Sequence, residues 1–239
     1  LGSLDINVDT TQTGNITLTG NIGGTNAGVT GVTRIGNVNT ADLNLNGTVY
    51  KTGGATTFTA VSSGTIDLGG TSPTFTTSAD AITFATAGVA IGDGTLTVNS
   101  AGGAISFTGN ITGTDNDETV VLNTGSDATT TETVAVQVIG GGGKVKAVTI
   151  TGADGVTLNG NITTADVADN NVEITGGVTL GAAVTIDTAG TTSDGTITFN
   201  NTIDGAQDLD LVSDDADILI TGAIGNSTAL GSLDINVDT

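Results

Sequence analysis

Carboxylates and hydroxyls are the only side chains here that could do chemistry. None of the 239 residues is His or Cys. That excludes Ser-His-Asp and Cys-His nucleophiles, zinc-binding HExxH helices and Cys/His zinc sites. The densest carboxylates are Asp204, Asp208 and Asp210, followed by Asp214, Asp215 and Asp217. Paired carboxylates cleave polysaccharides in some β-helical enzymes. Sugar clefts also offer aromatic platforms, and this chain has one Tyr and no Trp. Solvated Asp on strands and turns is therefore the preferred account, and no catalytic residue is assigned.

A metal role is the more specific expectation for the second trio. Strand parity turns Leu209 and Leu211 inward and Asp208 and Asp210 outward, leaving Asp214 and Asp215 in the turn before Ile218. In a parallel stack, successive turns lie about 5 Å apart. Like charges at that spacing repel by about 1 kcal/mol per pair in water. Calcium held by Asp214, Asp215 and Asp217 would remove that repulsion, since it accepts irregular oxygen sites. Solvation and salt screening are the competing expectation. No other cofactor is expected.

Four weaker motifs point to structure. Gly140–Gly143 followed by Lys144 has neither the Ser or Thr nor the helix of a phosphate-binding loop. Asp115-Asn-Asp-Glu118 resembles part of a calcium loop but lacks its spacing. Thr-x-Thr pairs at Thr17, Thr57, Thr74, Thr95, Thr149 and Thr196 are too irregularly spaced for an ice-binding array, so outer-face β-propensity explains them better. Asn-x-Ser/Thr sequons at Asn15, Asn46, Asn110 and Asn161 fall on or beside strand corners, where Asn caps turns.

The elements that must position these residues are short strands. Gly numbers 38, Pro occurs once, and the apolar 36% is mostly Ile, Val, Leu and Ala. That mix, with abundant Thr, describes strands and turns. One pattern recurs: apolar, any, apolar, any, Gly or Asn, any, apolar. It reads Ile16-Thr-Leu18-Thr-Gly20-Asn-Ile22 and returns from Leu43, Ile105, Val156, Val172, Ile197 and Ile218. Alternation sends Ile16, Leu18 and Ile22 to one face, and a Gly at inward parity lets the chain turn a corner. Strand, corner, short strand spells one coil of a β-solenoid. Three steps between motif starts are 27, 25 and 21 residues, the gaps of 62 and 51 divide into about three and two coils, and the 16-residue step from Val156 to Val172 fits no coil. The expectation is one continuous all-β parallel solenoid over residues 1–239, with roughly nine to eleven coils and almost no helix. Its interior should hold Ile16, Leu18, Ile22, Leu43, Leu45, Ile105, Phe107, Ile197, Phe199, Ile218 and Ile220. Residues 112–132 and Gly140–Gly143 are expected to protrude as loops.

Charge narrows the partners. Four basic residues stand against 25 acidic ones, a formal charge of −21. A polyanion repels nucleic acid and anionic lipid, and like charge keeps a long polymer soluble. No apolar run approaches the roughly 18 residues needed for a membrane-spanning helix, so neither nucleic acid binding nor membrane insertion is expected. The sequence also starts without Met or a signal peptide, as expected of an interior segment.

The decapeptide LGSLDINVDT fills positions 1–10 and returns letter for letter at 230–239. That is the signature of a tandem array, giving one unit of about 229 residues plus a ten-residue overlap. GTITFNNTIDGAQDLDL (195–211), ADILITGAIGNSTALGSLDI (216–235), GNITLTGNIGG (14–24) and GGAISFTGNITG (102–113) resemble the repeats of giant filamentous-haemagglutinin-like bacterial surface proteins. The resemblance implies a right-handed parallel β-helix, secretion to the cell surface and a role as adhesin shaft or filament. The expected function is thus a non-catalytic structural repeat of an extracellular fibre, whose partner is its own neighbouring unit, end to end. The alternatives are a module that binds a host or cell-surface glycan through residues 112–132, and, further off, a polysaccharide-cleaving enzyme or ice-binding segment.

Overall fold

Alternation of apolar and polar residues gives each strand one face to bury, and a parallel stack of coils buries it against the coils above and below. A computed structural model describes residues 1–125 and 131–237. Among them are 24 strands and no helix, and every ladder is parallel. The chain is a β-solenoid of about nine turns. Neighbouring coils about 4.8 Å apart carry it roughly 45 Å along the axis.

Three columns of strands make up the wall. The first runs from Leu4–Ile6 and Thr33–Ile35 to Val178–Leu180 and Ile203–Asp204. The second starts at Gly14–Leu18 and Thr40–Leu45. It continues through the bridges joining Ile111, Ile139 and Ile162, and then through Val184–Asp187, Asp208–Val212 and Ser232–Asn236. The third holds Val49–Lys51, Thr74–Thr76, Thr95–Asn99, Thr119–Asn123, Ala147–Thr151, Val172–Thr175, Ile197–Phe199 and Ile218–Ile220. Thr56–Leu68 and Ile82–Ile91 turn the corner between the first two columns, with a register break between Ala60 and Thr65. Register partners one coil apart are separated by 19 residues (Val145 and Thr164) to 29 (Leu4 and Thr33).

Like residues stack inside. In the second column Ile16, Leu43, Ile66, Val89, Ile111, Ile139, Ile162, Ile186, Leu211 and Ile235 are successive partners. The first column carries Phe58, Phe84 and Phe107 in line, and the third carries Tyr50 against Phe75. All the residues expected inside belong to this core; Ile16, Leu18, Ile22, Ile218 and Ile220, in the outermost coils, are partly buried.

Corner glycines answer to close approach of backbones. A Cβ on Gly47 would lie 2.6 Å from the Gly20 carbonyl oxygen, and one on Gly70 2.4 Å from that of Gly47. Hydroxyls satisfy the buried corners between the third and first columns. Thr77 Oγ1 donates to the Ser100 carbonyl (3.1 Å), Ser100 Oγ to that of Thr124 (3.4 Å) and Thr124 Oγ1 to that of Thr151 (3.3 Å).

Two expectations need correction. Residues 112–132 are not one protruding loop. Thr119–Asn123 is a strand paired on both edges, with Val120 and Leu122 fully buried; residues 126–130 lie outside those described. The 16-residue step is also resolved. Val156 sits in the first column and Val172 in the third, so the interval spans part of a coil. The Gly140–Gly143 stretch does form a bend between the second and third columns. Gly140 is buried with φ +79° and its N–H bonds the Ile111 carbonyl, whereas Gly141 and Gly142 are exposed.

Candidate functional site: open strand edges and coil-to-coil carboxylates

The outermost coils leave apolar side chains without a cover. Among the described residues, Leu4–Ile6 pairs only with Thr33–Ile35, and Ser232–Asn236 only with Asp208–Val212. Ile218–Ile220 pairs only with Ile197–Phe199. Ile224 is 41% exposed, Leu233 39% and Ile235 47%, against 0% for their register partners Ile203, Leu209 and Leu211, and the outward-facing Leu219 is 52% exposed. Two shallow concavities lie at these ends. One is lined by Leu4, Ile6 and the 17–22 segment, the other by Thr196, Thr198, Asp217, Ile218 and Leu219. An unpaired strand edge with an apolar lining can pair with a further strand.

The two decapeptide copies stand at those edges, in different columns. Leu4, Asp5 and Ile6 pair with Thr33, Arg34 and Ile35 in the first column. Their counterparts Leu233, Asp234 and Ile235 pair with Leu209, Asp210 and Leu211 in the second. Both copies turn Leu and Ile inward and Asp outward.

The carboxylates along the wall mainly tie coils together. Asp166 receives both the N–H and the hydroxyl of Thr191 (3.0 and 2.6 Å) and of Thr192 (3.1 and 2.8 Å), plus the Ser193 N–H (2.9 Å). The two Thr hydroxyls, followed by the backbone N–H groups, hold its carboxyl far below the usual range. Asp204 receives the N–H of Thr228 (3.0 Å) and of Ser227 (2.7 Å), which lower its pKa. Asn side chains do the same uncharged. Asn15 Oδ1 accepts from Asp42 N–H (3.2 Å), Asn161 from Thr185 (2.9 Å) and Asn171 from Thr196 (2.8 Å). Each link spans one coil.

The sequence-predicted candidates distribute as follows. Asp204 is one of these ties, while Asp208 and Asp210 stand on the outward side of one strand. Asp214, Asp215 and Asp217 share a turn, Asp214 with φ +45°. Among the described residues no three acidic side chains gather at metal-binding spacing. Glu118 is buried, which raises its pKa, but the N–H groups of Asp115 (2.7 Å) and Thr114 and the Thr114 hydroxyl outweigh that and lower it. It closes the 114–118 turn on itself. The Thr-x-Thr pairs are spread over all three columns, and the Thr74, Thr97, Thr149, Thr198 row is interrupted by Val121 and Glu173. Asp166 escaped sequence reasoning. Its only signal is a Thr-Thr-Ser run one coil further on.

Fold and wall together define a parallel β-solenoid whose coils are tied to one another by polar side chains. Comparison with protein-family models, curated proteins and solved structures finds no match.

Proposed function

We propose that this chain is a non-catalytic structural repeat unit of a long extracellular bacterial filament, surface fibre or adhesin stalk. It lengthens end to end through further copies of itself. The observation that carries this is the decapeptide. One copy pairs towards the following coil and the other towards the preceding coil, with the same residues inward. A strand able to use both edges belongs in the middle of a stack. The charge of −21 suits a long soluble fibre, and the resemblance to filamentous-haemagglutinin-like repeats supports the cell-surface setting. Glycan recognition by residues 112–132 loses its main support, because the centre of that stretch is a wall strand.

Sequencing the parent gene across this segment tests the proposal. Tandem units near 229 residues are expected, together with antibody labelling of the unit on intact cells. A single copy would overturn the array, and labelling confined to lysed cells would overturn the setting.

A further inference from the structure

The two decapeptide copies start 229 residues apart but do not share a column. Nine coils carry the first column from Leu4 to Ile224, which bridges Ile203. The second copy comes one column later, on Asp208–Val212. The repeat therefore completes nine turns and one further face. We propose that each unit seats the next one turned by one face, about a third of a turn. The next unit's Gly14–Leu18 strand then covers Ile218–Ile220 and not Asp208–Val212. This rests on the tandem array proposed above.

Three independent features of the chain agree with that seating. The first is spacing. One period carries Ile16 to a point 27 residues beyond Ile218, and Ile22 to a point 27 beyond Ile224, inside the observed range of 19–29. Seating in phase would put Ile16 over Leu211, 34 residues on, outside that range. It would also displace Ile224 from Ile203 and Ser232–Asn236 from Asp208–Val212.

The second is motif shape. Ile16-Thr-Leu18-Thr-Gly20-Asn-Ile22 matches Ile218-Leu-Ile220-Thr-Gly222-Ala-Ile224 position for position. Turned by one face, Ile16 meets Ile218, Leu18 meets Ile220, Gly20 meets the corner at Gly222, and Ile22 meets Ile224. The inward-facing Ile218, Ile220 and Ile224 at this end are thereby covered. The segment after Leu211 offers no such corner Gly, so an in-phase Gly20 would have no partner glycine.

The third is charge. Asp210 and Asp234 are neighbours on the outer wall, a like-charged pair in register. Asp234 is the same decapeptide residue as Asp5, whose register partner is Arg34, the only Arg in the chain. Across the seam the outer row then reads Asp210, Asp, Arg34. The cation stands one coil from the pair whose repulsion it offsets.

The consequence is a fibre whose surface features rotate. Any corner of one unit, such as the Asp166 tie, appears on another side in each of the next two units and returns after three. A lateral partner would meet that feature on every side of the fibre and not along one stripe.

The test uses a two-unit polypeptide, residues 1–229 followed by 1–239. The protein has no Cys, so an introduced pair reports alone. Adjacent strands about 4.8 Å apart suit a disulfide. Leu219→Cys in the first unit with Thr17→Cys in the second should close under mild oxidation in most molecules. Val212→Cys in the first unit with Thr17→Cys in the second should stay open. Closure of the Val212 pair in its place would overturn the one-face turn while keeping the array. A third variant, Asp210→Cys with Asp234→Cys in the single unit, tests the placement of the second decapeptide. If it closes and neither seam pair does, units do not stack, and the array falls with this inference. If it stays open, the second copy is not on Asp208–Val212 and the inference alone falls.

Discussion

Between Tyr50 and Phe107 the interior holds a cluster of five aromatic rings among aliphatic residues, whereas from Asp166 onward it is almost wholly aliphatic. Phe84 stacks on Phe107 at 4.5 Å and on Phe58 at 5.1 Å, and meets Phe75 edge-on at 5.1 Å. Tyr50 stacks on Phe75 at 4.7 Å. Its hydroxyl accepts the Gly47 N–H (2.9 Å), which satisfies the one polar atom this cluster buries. The later coils have Phe199 alone, set between Ile174 and Ile220. There, Asp166, Asn171 and Asp204 reach from one coil to the backbone of the next. Polar ties occur on the wall of both regions. Only the first adds ring-to-ring contacts in its core, and only the second has a carboxylate, Asp166, that gathers five bonds from the next coil. Stability should therefore be unequal along the axis, as nearest-neighbour stacking allows.

The largest expected effect comes from breaking the aromatic side of that contrast. Phe84→Ala should cost about 3–5 kcal/mol, because it leaves a cavity bounded by three rings. Phe199→Ala should cost less, since no ring pair is lost; such pairs add about 0.5–1.5 kcal/mol each. Urea unfolding of the two variants checks the order. Equal losses would mean that the rings add nothing beyond ordinary burial.

Corner glycines sharpen the comparison at the next level. A Cβ on Gly109 would stand 2.1 Å from the Ala87 carbonyl oxygen, whereas one on Gly20 meets nothing within 4 Å. Gly109→Ala should therefore cost about 1–3 kcal/mol by forcing two coils apart. Gly20→Ala should stay within about 0.5 kcal/mol in the single unit. In the second unit of a two-unit chain, the corner at Gly222 would lie beneath Gly20, and the same change should become costly. Thermal melts of these three variants decide it. A harmless Gly109→Ala would show that close backbone approach is not what the corners require.

Much of this was legible in the sequence, for a physical reason. Period-2 alternation around Ile16, Leu43, Ile105 and Ile197 identifies inward positions wherever the strand lies, so the solenoid and its core could be read directly. The column of each strand could not. All three columns use the same alternation, so Val156 and Val172 look alike although they sit in different columns. Composition misled at 112–132, where Asp, Asn and Thr hide Val120 and Leu122. Asp166 was missed for another reason. Its partners lie a whole coil away, and pairing at that range is visible only once the register is known.

The smallest effect concerns the wall ties, and it is local. The Thr191 and Thr192 hydroxyls and backbone N–H groups lower the folded pKa of Asp166, and N–H groups of Thr228 and Ser227 lower that of Asp204. A carboxyl with a depressed folded pKa binds its proton more readily in the unfolded chain. Its contribution is therefore fully present above the ordinary Asp value of about 3.9 and fades as pH falls further. Both groups lie on the wall and are partly open to solvent, so the readout should be local opening and not the global midpoint. Amide exchange at Thr191, Thr192 and Ser193 should accelerate on passing from pH 5 to pH 2.5, once corrected for the intrinsic pH dependence. Amides inside the aromatic coils, such as Phe84 and Val98, should keep their protection over the same range. Asp166→Ala should give fast exchange at 191–193 already at pH 5 and remove the acid dependence there. Asp166→Asn keeps one acceptor oxygen and should fall between the two. Acid-sensitive exchange at 191–193 that survives in Asp166→Ala would show that another group controls this corner.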